Sequence, residues 1–266
     1  SLVRRSYEQP VDTFMVNTQG TVHMLNALRD VQQPCVGLMI TTDKVYQNPE
    51  RGTPFNEEDK LGGYDPYSAS KAAAEIVIES YQRSFFNKAD YNKHNKSVAS
   101  VRAGNVIGGG DFSDDRIVPD IVRALEFDQP VNLRNPESVR PWQHVLEPLG
   151  AYLYLAAKMS GQPQEYITAF NFGPNEEDML TVEELTKIFI QQFGRGSYTI
   201  TPHENAPHEA KLLLLDSSKA KQMIGWQPKL DARAAIRMTA DWYADREHTA
   251  HEKCMSQVKE YFGDFS

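Results

Sequence analysis

The sequence predicts an α/β protein, a doubly wound parallel sheet with a smaller C-terminal α/β lobe. Three observations predict it. Two short apolar runs, 36–40 and 98–102, flank a helical pattern from Tyr67 to about Phe85, and strand, helix, strand in that order is the parallel βαβ unit. The first run is continuous instead of alternating and ends in hydroxyl and charged residues, the form of a parallel strand buried on both faces. Beyond residue 111 the pattern changes to shorter pieces. The implied division sets residues 1–104, with 145–172 returning to the same domain, against 105–144 and 173–266.

Pro10 suits a first helical position, and Val11, Phe14, Met15, Val22 and Leu25 fall near a 3.6-residue period, so a helix is predicted over 10–30, ended by Pro34. Residues 47–66, rich in Pro, Gly, Asn and Asp, read as a loop. The helix after it carries a small-residue face of Ala69, Ala72 and Ala73 with Ile76. Further helices are predicted over 116–127, 145–158, 217–224 and 231–246, extended pieces over 131–134, 168–172, 198–201 and 211–215, and a polar turn over 139–144. Thr181-Val182-Glu183-Glu184 has the spacing of a capping box ahead of Leu185, Ile188, Phe189 and Phe193, which predicts a helix there. Gly108-Gly109-Gly110 precedes an aspartate and a loop, and reads as a flexible turn.

Charge excludes some partners. With 28 basic against 36 acidic residues, net -8, neither nucleic acid nor an anionic membrane surface is expected as the main partner, so an anionic ligand must meet local arginines. No apolar run approaches ~18 residues and no signal-peptide pattern opens the chain. Cys35, in an apolar run, and Cys254 have no metal-site spacing and read as a buried and a surface thiol of a reducing compartment, so the chain is read as cytoplasmic. No metal site is predicted. His23 and His144 read as structural, and Trp142, Trp226 and Trp242 as core or packing residues.

Candidate chemistry gathers in two places. Thr41-Thr42-Asp43-Lys44 closes the first strand, and open α/β sheets place ligands beyond the carboxyl ends of their strands. Tyr67 and Lys71 lie one turn apart on one helix face, where the ammonium favours the phenolate and turns a poor base into a usable one. Tyr-x-x-x-Lys alone occurs by chance in many helices. Its company is sharper: a Thr-Asp strand end lies 25 residues before the tyrosine, and an Arg-x-x-Asn-Val-x-Gly strand end begins 35 residues after it.

Together these resemble the extended short-chain dehydrogenase/reductase family, specifically its nucleotide-sugar-modifying enzymes. Asn17-Thr18-Gln19-Gly20-Thr21, Tyr64-Asp65-Pro66-Tyr67-Ser68-Ala69-Ser70-Lys71, Arg140-Pro141-Trp142-Gln143-His144-Val145, Asn171-Phe172-Gly173 and Gly225-Trp226-Gln227-Pro228 are similar to family landmarks in the same order, so the resemblance covers essentially the whole chain. It implies a Rossmann-like fold for the sheet, NAD as cofactor and a nucleotide sugar as substrate. No Gly-x-Gly-x-x-Gly follows a strand in these 266 residues. The expectation is therefore that the sequence begins inside the fold, with roughly three βα units of ~30 residues before Ser1.

Within the family, dehydratases of dTDP-glucose or GDP-mannose usually carry Asp-Glu where this chain has Asp43-Lys44. That pair, with the 103–111 run and the 140–144 segment, resembles the 4,6-dehydratases of CDP-glucose. The implied roles follow. Tyr67 takes the C4 hydroxyl proton as hydride leaves for NAD, Lys71 lowers the tyrosine pKa and holds the nicotinamide ribose, and Thr42 orients the hydroxyl. Asp43 protonates the departing C6 hydroxyl as water is lost across C5 and C6, and hydride returns to C6. Thr41, Asn105 and Val106 are implied at the cofactor, and Thr42, Asn105, Arg116, Arg134, Arg140 and His208 at the substrate. Lys44 is left with three readings. An ordinary lysine, pKa ~10.4, costs about 4–5 kcal/mol to deprotonate at neutral pH, so it is the C5 base, an electrostatic stabiliser of the enolate, or structural. The rivals are a nucleotide-sugar 4-epimerase, a dehydratase of another nucleotide sugar, and a non-catalytic dinucleotide-binding sensor. A homodimer or homotetramer, built through the Tyr67 helix and the one before it, and a place in deoxysugar supply for O-antigen and lipopolysaccharide are also implied.

Overall fold

The computed structural model describes residues 3–49, 52–201 and 213–263. The chain divides into two compact units, one of Ser1–Gly104, Leu149–Gly173 and Leu213–Gln227, the other of Asn105–Pro148, Pro174–Leu212 and Pro228–Ser266.

The first unit is built on a three-stranded parallel sheet in the order Cys35–Ile40, Lys96–Ala103, Ala169–Phe172. Cys35 pairs with Lys96 and Ile40 with Val101, while Ser100 pairs with Ala169 and Ala103 with Phe172. The central strand has apolar residues on both faces, as a strand buried on both sides must. Val98 joins Leu25, Ile78 and Phe86 on one side, whereas its neighbours Ala99 and Val101 join Leu155, Phe170, Phe172 and Trp226 on the other. The period-2 alternation of side chains thus recruits a helical layer to each face. The Gly20–Asp30 and Pro66–Ser84 helices cover the first face, and the Leu146–Gly161 and Ser218–Ile224 helices the second.

The helix predicted over 10–30 is present but not uniform. Pro10–Phe14 is α-helical, Met15–Gln19 is a π-helical turn, and Gly20–Asp30 is α-helical again. Such an insertion lies below the resolution of a 3.6-residue pattern. In the same unit, residues 211 and 212 of the strand predicted over 211–215 lie outside the described residues, and Leu213–Leu215 makes only a bridge through Leu215 to Phe55. Cys35 is half-buried, not buried, and Cys254 is exposed.

The second unit packs helices Ile117–Glu126, Val182–Phe193 and Ala232–Ala244 around Ile121, Leu125, Leu133, Trp142, Phe189 and Trp242. Short strands pair within it: Val106–Ile107 with Gln143–His144, and Val131–Leu133 with Tyr198–Ile200, both parallel, and Val139–Arg140 with Leu180–Thr181, antiparallel. The segment 139–144, predicted as a polar turn, therefore carries two short strands, because its polar residues are satisfied by ladder partners more than 35 residues away in sequence. The Gly108-Gly109-Gly110 run does form a turn at Gly109-Gly110, with Gly110 at φ 80°, but two of its glycines serve close packing. A Cβ on Gly109 would lie 2.1 Å from the Trp242 ring, and one on Gly108 2.8 Å from Val145, so the backbone is pressed against side chains that leave no room for a methyl group. An Ala250–Phe262 helix closes the described chain, capped by a Thr249–Glu252 capping box.

Candidate active site

The first strand ends on a built turn. Thr42 is extended at φ -157°, ψ 161°, and caps the 3₁₀ turn Asp43–Val45 by accepting the Lys44 N–H at 3.4 Å. Its hydroxyl donates to Asp43 Oδ1 at 2.9 Å. Both side chains are buried, Thr42 at 6% and Asp43 at 3% exposure, so a carboxyl group is held out of bulk water at a sheet's carboxyl end. Gly104, where the neighbouring strand ends, lies directly against Asp43: a Cβ there would fall 1.9 Å from Asp43 Oδ2. Only glycine lets the two strand ends approach this closely.

The Pro66–Ser84 helix begins beside a glycine of the preceding loop. Asp65 is its N-cap, accepting from the Ser68 N–H at 3.0 Å and the Ser68 hydroxyl at 2.6 Å, and Pro66 occupies the first helical position. Gly63 packs on this turn, where a Cβ would lie 2.2 Å from Ser68 Cβ. Tyr67 is thereby the second helical residue, and its N–H donates to Ser6 Oγ at 3.2 Å.

One turn on, Lys71 Nζ donates to the Ile40 carbonyl at 3.2 Å. This bond joins the helix to the last residue of the strand that delivers Thr41, Thr42, Asp43 and Lys44. Burial pushes the Lys71 pKa down, and the Glu75 carboxylate partly opposes it. Thr41 turns its hydroxyl inward, donating to Glu75.

The other sequence-predicted residues belong to the second unit. Asn105 is in the left-handed region at φ 51°, and its carbonyl accepts from the Gln143 N–H at 3.2 Å. Val106 pairs with Gln143. Arg140 Nη1 donates to the Val139 carbonyl at 2.9 Å. Arg116 pairs with Asp111 at 3.0 Å, and Arg134 stands 3.9 Å from Asp115. His208 lies outside the described residues. Among the described residues, no group of three His, Cys, Asp or Glu side chains is placed to hold a metal ion, and no helix is long and apolar enough to cross a membrane.

Sequence reasoning missed a buried polar network beneath the turn. Glu75 accepts from Thr41, from Ser100 Oγ at 2.8 Å and from Arg102 Nη2 at 2.7 Å. Arg102 Nη1 donates to the Tyr46 hydroxyl at 2.8 Å, and that hydroxyl donates to Asn171 Oδ1 at 2.7 Å. Two signals were in the sequence: an arginine within an apolar strand, and a glutamate four residues beyond Lys71.

A parallel sheet with a buried Thr-Asp turn at its carboxyl end, served by a Tyr-x-x-x-Lys helix bonded to the same strand, defines the class: an extended short-chain dehydrogenase/reductase. More narrowly, the chain belongs to the family described as GDP-mannose 4,6 dehydratase, whose model matches residues 1–239. It is 44% identical over 242 residues to the CDP-glucose 4,6-dehydratase of Salmonella typhimurium, which covers 91% of this chain and 67% of that protein. It is 32% identical over 246 residues to a dTDP-glucose 4,6-dehydratase of Streptomyces antibioticus, with 91% and 67% covered. The chain thus spans about two thirds of the length of these relatives. A solved dTDP-glucose 4,6-dehydratase from Streptomyces venezuelae, with NAD bound, matches with a TM-score of 0.75 at 23% identity over 92% of this chain and 71% of that one. A UDP-galactose 4-epimerase matches with a TM-score of 0.74 at 20% identity, over 93% and 76%. Dehydratase and epimerase fit alike, so these two likenesses show the fold and leave the reaction to the site.

Proposed function

We propose that this chain is an NAD-dependent CDP-glucose 4,6-dehydratase, a hydro-lyase that converts CDP-glucose to CDP-4-keto-6-deoxyglucose and water. The observation that carries the reading is the buried Thr42-Asp43 pair, with Lys44 next to it, in a chain 44% identical to an enzyme of that name. An epimerase has no water to expel and no use for a buried acid at this strand end.

The residues present suit the nicotinamide end of NAD. Lys71 stands at the carboxyl end of a parallel sheet with its ammonium on a strand-end carbonyl, where it can also donate to ribose hydroxyls, and Thr41, Asn105 and Val106 are the further candidates for contact. When bound, NAD supplies a hydride acceptor that takes hydride from C4 and gives it back at C6. Tyr67, as phenolate, takes the proton of the C4 hydroxyl, and the Thr42 hydroxyl orients that group. The C4 ketone acidifies C5–H. As the C6–O bond breaks, the C5 proton passes to a water molecule, Asp43 gives its proton to the departing oxygen so that water is released, and a proton returns to C5 when hydride reaches C6. Lys44, next in the turn, supplies the positive charge that stabilises the enolate. For the diphosphate the proposal takes Arg140, whose forked donors suit it, with Arg116, Arg134 and His208 as further candidates.

The same proposal includes a homodimer or homotetramer, a cytoplasmic setting and a role in deoxysugar supply for cell-surface polysaccharide. Its support for assembly is the exposed apolar set Val11 (73%), Val16 (72%), Met24 (61%) and Ile76 (58%) on the helices before and including that of Tyr67. The test of the catalytic reading is Tyr67→Phe. Turnover of CDP-glucose is expected to fall about 10²–10⁴-fold with NAD affinity unchanged. Wild-type turnover in this variant removes Tyr67 as the base.

A further inference from the structure

The buried network has a geometry that stability alone does not explain. Glu75 lies one turn beyond Lys71 and two beyond Tyr67 on one helix, and is 3% exposed. Its Oε1 receives Thr41, the residue before Thr42-Asp43. Its Oε2 receives Ser100 at 2.8 Å and Arg102 at 2.7 Å, both on the Lys96–Ala103 strand, which is followed by Gly104, the glycine against which Asp43 packs. Arg102, also 3% exposed, is fixed in turn by Tyr46, which follows the Asp43–Val45 turn. A buried ion pair is a poor stabiliser, because desolvation offsets most of the attraction and a well-packed apolar pair does as well. In some proteins such a pair is retained because it enforces one arrangement.

We propose that Glu75 is a positioning residue: with Arg102 it ties the Tyr67–Lys71 helix to the carboxyl ends of two adjacent strands, one leading to Thr42-Asp43 and the other to Gly104. The proton acceptor on the helix and the proton donor in the turn are thereby held in one geometry. The inference rests on the dehydratase reading for its chemistry but not for its structure. The carboxylate has a second effect, since its charge opposes the loss of the Lys71 ammonium that burial promotes.

The test is Glu75→Gln in the full chain, assayed with CDP-glucose beside wild type at a temperature where both are folded. The kcat is expected to fall about 10–100-fold with KM within about threefold, since misplacement of about 1 Å costs rate and not binding. The alkaline limb of the kcat profile is expected to move to lower pH, because Lys71 loses a stabilising charge. A lower Tm with unchanged kcat and pH profile makes Glu75 merely structural and overturns the proposal. Should Glu75→Gln not fold, Thr41→Val leaves the ion pair intact. Its kcat is expected to fall about tenfold, measured at saturating NAD because Thr41 is also a candidate cofactor contact, and Thr41→Ser to restore it. Unchanged kcat in Thr41→Val overturns the proposal. If wild type turns over no CDP-glucose, the functional reading fails by itself. Amide exchange at Thr42–Val45 then decides, faster in Thr41→Val if the tether holds the turn and unchanged if it does not.

Discussion

Replacing Gly104 with alanine puts one methyl group into the space that Asp43 occupies. The Cβ would lie 1.9 Å from Oδ2, 2.0 Å from Cγ and 2.6 Å from Oδ1 of Asp43. Real Cβ atoms essentially never approach closer than 3.0 Å, so the carboxyl group must retreat by at least about 1.1 Å. Gly104 is not among the residues with positive φ, so the alanine backbone itself is unstrained and the effect is steric. Overpacking of this kind costs about 1–3 kcal/mol of stability. A displacement of about 1 Å at the acid costs roughly 10²-fold in the elimination step. Water loss from CDP-glucose, followed by mass, is expected to fall by about that factor, with KM little changed. The double variant Asp43→Ala/Gly104→Ala relieves the clash. Its Tm is expected to exceed that of Gly104→Ala, and its rate to match Asp43→Ala alone, since two changes acting through one group are not additive. Wild-type turnover in Gly104→Ala, or strictly additive losses in the double variant, refutes the placement of Asp43 as the acid.

Two further outcomes test the second unit. His144 is 1% exposed, its Nδ1 accepts the Leu146 N–H at 3.3 Å, and burial pushes its pKa from 6.5 down to about 4. The unfolded chain therefore takes up this proton first. The contribution is complete above about pH 6.5 and is lost as pH falls towards 4, amounting to about 3 kcal/mol. Urea midpoints between about pH 7 and about pH 4.5 are expected to fall in wild type and to flatten in His144→Phe, and an identical slope in both contradicts this origin. Gly109→Ala sets a methyl group 2.1 Å from the Trp242 ring and is expected to lower Tm by several degrees, partly recovered by Trp242→Leu; an unchanged Tm shows that the ring is not packed there.

Where the determinants were local, the sequence was a good guide. The Thr181–Glu184 capping box is formed as spaced, with the Glu184 N–H on Thr181 Oγ1 at 3.1 Å and the Thr181 N–H on Glu184 Oε2 at 2.8 Å. The same spacing at Thr249–Glu252 went unread, and with it the Ala250–Phe262 helix. The parallel sheet was legible from its continuous apolar runs, but the first of them is not buried on both faces as expected: Cys35–Ile40 is at the edge of the described sheet, with Gly37 alone buried and Ile40 exposed, and it is the central Lys96–Ala103 strand that is buried, from Lys96 to Arg102. The strand that ends just before Thr41 and the helix that carries Tyr67 and Lys71 were legible because each is a matter of a few residues' pattern. The network around Glu75 was not, since its bonds join residues 27, 56 and 125 positions apart, and only the sheet register brings them together. The glycines at 104 and 109 were similarly opaque, because what each excludes, the Asp43 carboxylate or the Trp242 ring, is a tertiary neighbour. The Met15–Gln19 π-turn leaves the apolar period nearly intact and so hides within it.

In the proposed reaction hydride leaves C4, water leaves across C5 and C6, and hydride returns to C6 in one active site. CDP-glucose carrying deuterium at C4 tests it most directly, by mass and by NMR of the product formed with NAD bound. The account predicts a product lighter by one water, with the deuterium in the C6 methyl group, from CDP-glucose in preference to dTDP-glucose or UDP-glucose. A product of unchanged mass with the deuterium still at C4 would mean epimerisation, and would contradict the account.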